Sequence, residues 1–262
     1  MLYLKGNNIK FEGNIIKMVY EIFSNRLSIG IISYVVFIIS ASMHEYSHAK
    51  TAYTLGDRTA MRLGRLTINP LAHLDILGSV VLPLIAAVTG IPVIGWMKAV
   101  PVNPHNFNNF ERDQALVSFA GPFANLIIAA VSFIIIKILT FTADGTFIIY
   151  KIMMFLEQHD NMLTDIMLNA LPIVLTMLFM FYMINIMLMF FNLLPFPPLD
   201  GGWILRFFLS PKGKSTYDKI YPYGFLILYA LLFAGILRTV LGFIQTVSQH
   251  MLGKSINIIF SI

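Results

Sequence analysis

The sequence predicts an all-α polytopic membrane protein: about four spanning helices, a re-entrant hydrophobic segment, and a short β-strand or hairpin beside its polar cluster. Three observations lead there. Hydrophobic residues make up 57% of the 262 and charged residues only 12%, and the mean hydropathy is +0.76. A soluble domain is about 45–50% apolar and about 25% charged, so the charge present covers only half of a water-facing surface. The charges are also clustered, leaving gaps long enough for helices of ~20 residues that cross a bilayer. A soluble enzyme, a disordered chain and a disulfide scaffold are excluded. The absence of cysteine removes thiolate metal sites as well. A net charge of +5 fits basic loops flanking membrane spans and gives no sign of nucleic-acid binding.

The gaps between charges define hydrophobic segments at 27–52, 76–96, 115–139, 166–192 and 223–247. Residues 1–26 read as an N-terminal amphipathic segment. Ile9, Ile15, Ile16, Val19, Ile22 and Phe23 have rough helical spacing, and Lys5, Lys10 and Lys17 interrupt any signal-peptide core. Residues 27–247 form the membrane domain and 248–262 a C-terminal tail. Thr59–Ile68, rich in β-formers with alternating arginines and ending at Asn69-Pro70, predicts the strand or hairpin. Pro83, Gly90, Pro92 and Gly95 suit a segment 76–96 that is broken and re-entrant.

Two constellations carry chemistry. His44-Glu45-Tyr46-Ser47-His48 is an H-E-x-x-H pattern at the end of an apolar span. On a helix, residues four apart share a face, so both imidazoles can bind one zinc ion with Glu45 beside the attacking water as general base. Chance at this composition yields only about 0.003 such matches. A catalytic zinc takes three protein ligands and one open position. Without cysteine, the candidates for the third are His73, Asp75, His105, Glu111, Asp113 and Asp200. Asp200 stands out because it ends a charge-free run from Ile166. Pro195, Pro197 and Pro198 precede it, and Gly201 and Gly202 are expected to allow irregular backbone after it. Asn125 and Asn192, polar amides in apolar spans, are candidates for holding substrate or supporting an oxyanion. Gly121-Pro122 is expected to permit close packing against the helix of the two histidines.

His44–His48 together with Asn192-Leu193-Leu194-Pro195-Phe196-Pro197-Pro198-Leu199-Asp200-Gly201-Gly202 resembles the site-2 protease family of intramembrane zinc metalloproteases. Gly56-Asp57, Gly64 to Asp75, Gly95 to Pro104 and Gly121 to Asn125 extend the resemblance over roughly residues 30–236. It resembles the compact bacterial branch, without PDZ or CBS domains. The resemblance implies His44, His48 and Asp200 as ligands of one Zn2+ per chain, Glu45 as catalytic acid/base, and substrate handling by Asn192. It implies cleavage of a peptide bond in or near a transmembrane helix of a membrane-protein substrate. A metal-ion transporter and another membrane-embedded zinc endopeptidase, such as a prenyl-protein endopeptidase, are the alternative readings.

If the three ligands meet, the ends of spans 27–52 and 166–192 face one side. The chain between them then crosses an even number of times, so segment 76–96 does not cross. Lys50, Arg58, Arg62, Arg65, Lys98, Arg112, Arg206, Lys212, Lys214 and Lys219 lie at that end, against Lys151 alone at the other. This predicts an active site toward the cytoplasmic side of a bacterial inner membrane. The N-terminal Lys5, Lys10, Lys17 and Arg26 count the other way.

Overall fold

The computed structural model describes residues 2–5, 8–11, 26–89, 95–140 and 162–253. Its elements are β1 (Leu2–Lys5), β2 (Asn8–Phe11), α1 (Arg26–Thr54), α2 (Thr59–Arg62), α3 (Leu82–Thr89), α4 (Phe110–Thr140), α5 (Met162–Asn192), α6 (Asp200–Phe208), α7 (Pro211–Ile220), α8 (Gly224–Phe233) and α9 (Ile236–Leu252). Helix dominates, as the sequence predicts. Among the described residues, three helices are long and apolar enough to cross a membrane: Ile29–Thr54, Phe110–Leu139 and Ile173–Asn192. A fourth crossing is available if Pro211–Phe233 and Ile236–Leu252 act as one broken span, bent by 70°. The break lies inside the expected segment 223–247, where Gly235 takes φ +76°, a left-handed turn that stops α8.

The packing divides into two units. One comprises Met1–Phe37, Ala130–Met183 and Ser248–Ile262; the other comprises Ile38–Ala129 and Ile184–Val247. In the first, the Tyr182 hydroxyl donates to Ser248 O at 3.0 Å. Lys137 Nζ, near the end of α4, donates to Leu252 O at 2.7 Å and so caps the C-terminus of α9. The second unit holds the residues of the candidate metal centre.

Periodicity explains why α4 lies where it does. Val117, Asn125, Ala129, Ser132 and Ile136 are buried along one stripe. Ile127, Val131, Ile134 and Ile138 are exposed along another. A helix that keeps its polar groups inward and shows isoleucine outward has lipid as its solvent.

Two expectations are corrected. Thr59–Ile68 is neither strand nor hairpin: Thr59–Arg62 forms the single turn α2, and the chain then reverses at Gly64, with φ +68°. The cause is Asp57, whose Oδ1 accepts the Thr59 N–H at 3.0 Å and the Thr59 hydroxyl at 2.6 Å, closing a helical turn over the local β preference. At the N-terminus, Ile9 lies in a strand: β1 and β2 pair antiparallel, Leu2 opposite Phe11. The amphipathic helix expected there does not include these residues, and the remainder of that expectation lies outside the described residues. At the other end, α9 runs to Leu252.

The segment 76–96 enters and leaves at one place. It begins as a π-helical turn, Ile76–Val81, and continues as α3. Its two ends are bonded together: Trp96 N–H donates to Gly78 O at 3.3 Å, the Ser79 hydroxyl to Trp96 O at 2.8 Å, and Lys98 N–H to His73 O at 2.8 Å. Glycines permit this approach, since a Cβ on Gly78 would strike the Trp96 ring and one on Gly95 would lie 2.7 Å from Gly78 O. A segment whose ends touch returns to the side it came from, as the parity argument requires.

Candidate metal centre

His44 and His48 stand one turn apart near the end of α1, on the same face. Asp200 is the first residue of α6, after the proline-broken turn that follows α5. The structure brings these three together, although the carboxylate lies more than 150 positions downstream. The two Nε2 atoms are 2.9 Å apart, and Asp200 Oδ2 lies 3.1 Å from that of His44 and 3.4 Å from that of His48.

The back of each ring decides what these atoms are. His48 Nδ1 lies 2.6 Å from Val117 O, a carbonyl that only accepts, so Nδ1 carries the proton and Nε2 presents a lone pair. His44 Nδ1 lies 2.5 Å from Asn125 Oδ1, which gives the same tautomer. Two lone pairs and a carboxylate oxygen then face one point, and Asp200 Oδ2 is buried without a hydrogen-bond donor. Buried acceptors left unpaired cost about 1–3 kcal/mol each. A divalent cation satisfies all three, and two imidazoles with one carboxylate suit zinc with an open position.

Space at this point is made by α4. A Cβ on Gly121 would lie 2.5 Å from His44 Nε2 and closer still to that of His48, so only glycine fits. This is the close packing the sequence predicts for Gly121-Pro122; Pro122 lies inside α4 without ending it. Gly201 and Gly202 differ from expectation. Both are helical, and they supply room in place of irregular backbone: a Cβ on Gly201 would strike Leu193 O, and one on Gly202 the Tyr217 hydroxyl. They seat the start of α6 on the preceding turn and so aim Asp200. Arg206 of α6 holds both oxygens of Asp218 on α7, at 2.8 and 3.0 Å. Lys214 and Arg206 also reach Glu111 in the first turn of α4.

Glu45 is half-buried, and its Oε2 accepts the Val100 N–H at 3.1 Å. The extended segment carrying Val100 is pinned further along by Asp57, whose Oδ2 accepts the Asn103 N–H at 2.8 Å. Burial opposes the charge on Asp57, but the Thr59 hydroxyl, the Asn106 amide and the backbone N–H groups of Asn103 and Thr59 hold its carboxyl below the usual carboxylate range.

Among the described residues, no other candidate ligand joins His44, His48 and Asp200 in that group. Asn192 donates to Leu188 O within its own helix at 3.0 Å. Asn125 is fully buried, and its amide is taken at both ends, by His44 and by Asn185, which suits holding a ligand better than contacting substrate. His73 is buried against Thr67 O, Asp75 caps Gly78 N–H, Asp113 accepts the Asn109 N–H, and His105 sits in a 3-10 turn capped by Asn103. Asn185 escaped the sequence reading. The signal was available, since Asn185 is a polar amide inside the same charge-free, apolar run that singles out Asp200.

A helical membrane protein with this donor set defines an integral-membrane zinc metallopeptidase, and comparison with known proteins agrees. The family model "Peptidase family M50" matches residues 32–235, and the chain belongs to that family, the site-2 proteases. It is 32% identical over 197 residues to "Putative zinc metalloprotease YwhC" of Bacillus subtilis (strain 168), covering 75% of this chain and 78% of that protein. It is 30% identical to "Putative zinc metalloprotease Rip2" of Mycolicibacterium smegmatis, covering 75% of this chain and 64% of that protein. The Rip2 of Mycobacterium tuberculosis (strain H37Rv) is 26% identical over 76% of this chain and 65% of its own length. No solved structure matches the chain.

Proposed function

We propose that the protein cleaves a peptide bond in or beside a transmembrane helix of a membrane-protein substrate, at one zinc ion held by His44, His48 and Asp200, with Glu45 as acid/base. The observation that carries this reading is the convergence of the three ligating atoms, all within 4.8 Å of one another. Zinc there would act as a Lewis acid, polarising the scissile carbonyl and making water acidic enough to attack near neutral pH. The chain's own groups do the rest. Glu45, steadied by the Val100 N–H on Oε2, takes the proton of the attacking water and passes it to the leaving amine. Val117 O and Asn125 orient the two imidazoles. A substrate helix hides its carbonyls in hydrogen bonds and unwinds locally before cleavage. The site faces the cytoplasm of a bacterial inner membrane, on the strength of the basic residues at that end.

Family membership sets the transporter and prenyl-endopeptidase readings aside. The test uses Glu45→Gln in purified protein with a transmembrane reporter. Cleavage is expected to vanish while zinc stays bound. Undiminished proteolysis removes Glu45 from the mechanism.

A further inference from the structure

Glu45 leans on a backbone donor from far downstream: its Oε2 accepts the N–H of Val100 at 3.1 Å. How firmly that donor stands decides how firmly the carboxylate is aimed. Val100 lies in Lys98-Ala99-Val100-Pro101-Val102-Asn103-Pro104, and this segment is fastened on both sides of it. On the near side, Lys98 N–H donates to His73 O at 2.8 Å. On the far side, Asn103 N–H donates to Asp57 Oδ2 at 2.8 Å. None of these bonds can reverse, because a backbone N–H only donates and a carbonyl or ionised carboxylate only accepts.

Prolines stiffen what lies between. Pro101 and Pro104 each fix their own φ at about −65°. Each also confines the residue before it to extended backbone, and those two residues are Val100 and Asn103, the donors themselves. Asn103 accordingly takes φ −103° and ψ 108°. The result is a strut between two carboxylates, Asp57 at one end and Glu45 at the other. The anchor is itself fixed: Asp57 is fully buried, and its Oδ1 accepts from the Thr59 N–H, the Thr59 hydroxyl and the Asn106 amide. Held only at Lys98, the segment would pivot about Ala99; held also at Asn103, it presents the Val100 N–H in one direction. Resting on the reading of Glu45 as acid/base, we propose that Asp57 is a positioning residue that acts through the Val100–Asn103 strut to aim the Glu45 carboxylate. The two histidines are oriented separately, by Asn125 and Val117 O of α4, so this device acts on the base and leaves the metal ligands alone.

That separation of base from metal is what the experiment reads. The full-length chain in detergent is assayed with a transmembrane reporter for kcat and KM, by chelator competition for zinc affinity and by melting temperature for folding, with activity measured below the melting point of every variant. Asp57→Asn keeps its oxygen toward the three donors of Thr59 and Asn106 and turns its NH2 on the Asn103 N–H, so it detaches the strut. It is expected to lower kcat by about 10–100-fold, the cost of misplacing a reacting group, with KM and zinc affinity as in the wild type. Pro101→Gly slackens the strut without removing either anchor and is expected to lower kcat in the same way. Asp57→Asn added to Pro101→Gly is expected to cost much less than it costs alone, because the two act through one link. Thr59→Ala weakens the Asp57 clamp without freeing Asn103 and is expected to lower the melting temperature while leaving kcat unchanged. The inference is overturned if Asp57→Asn cleaves at the wild-type kcat, if it loses zinc affinity in step with kcat, or if its effect and that of Pro101→Gly multiply in full. Where Asp57→Asn does not fold, Pro101→Gly decides alone, and a wild-type kcat in that variant overturns the inference. Cleavage by Glu45→Gln equal to the wild type overturns the reading of Glu45 and this inference together. A Glu45-dependent enzyme in which Asp57→Asn is unimpaired overturns the inference alone.

Discussion

One methyl group at Gly121 would occupy the place where the two imidazole Nε2 atoms meet the carboxylate. Gly121→Ala is therefore expected to abolish zinc binding and cleavage and to lower the melting temperature of the metal-free protein without unfolding it, since overpacking two buried rings costs about 1–3 kcal/mol. Zinc content by atomic absorption checks this; a Gly121→Ala protein with full metal would show that α4 does not press on the histidines as described. At this scale the residues that converge were readable. His44, Glu45 and His48 are adjacent on one helix, and Asp200 is conspicuous for charge after a long apolar run. The orienting groups were harder to read. Val117 contributes a backbone carbonyl, which every residue possesses, so its side chain gives no signal. Asn125 drew notice for its polarity, but only the packing of its helix shows that both ends of the amide are taken.

The elements around the site depend on buried polar clamps, and Asp57 is the clearest. Four donations hold its carboxylate, linking α2 to the segment that carries Val100 and Asn103. Its folded-state pKa lies below the unfolded value, so its contribution to stability is fully present above about pH 4. That contribution is lost as pH falls through the folded value. Asp57→Asn is expected to lower the melting temperature near neutral pH, and the gap from wild type should narrow below about pH 4. A gap that stays constant down to pH 3 would show that the charge of Asp57 does not hold this segment. The same residue explains why Thr59–Ile68 was misread. Propensity favours a strand there, and a carboxylate two positions upstream, together with Gly64, closes a turn instead. The meeting of the two ends of segment 76–96 was legible because a glycine such as Gly95 allows a close backbone approach directly, whereas β-formers report only a preference.

Across the whole molecule, the touching ends of segment 76–96 and the meeting of α1 with α6 place Lys50, Lys98 and Lys212 at the end of the protein that carries the site. The chain has no cysteine, so single introduced cysteines can be labelled without background. Cysteines at Lys50, Lys98 and Lys212 are expected to react alike, and to resist a membrane-impermeant reagent added outside intact cells. Labelling of Lys98→Cys from the opposite side to Lys50→Cys would mean that the segment crosses. The spans themselves were legible from charge spacing, but the 70° break near Gly235 was not, because one glycine inside an apolar run is compatible with a straight helix. Every part of this account depends on a carboxylate after α5 sharing one metal ion with two histidines of α1. The most direct test is zinc K-edge X-ray absorption on purified wild type and Asp200→Ala. One zinc per wild-type chain is expected, with two imidazole nitrogens at about 2.0–2.1 Å and a carboxylate oxygen at about 2.0–2.2 Å, and little retained metal in the variant. Stoichiometric zinc with an unchanged spectrum in Asp200→Ala would contradict the site.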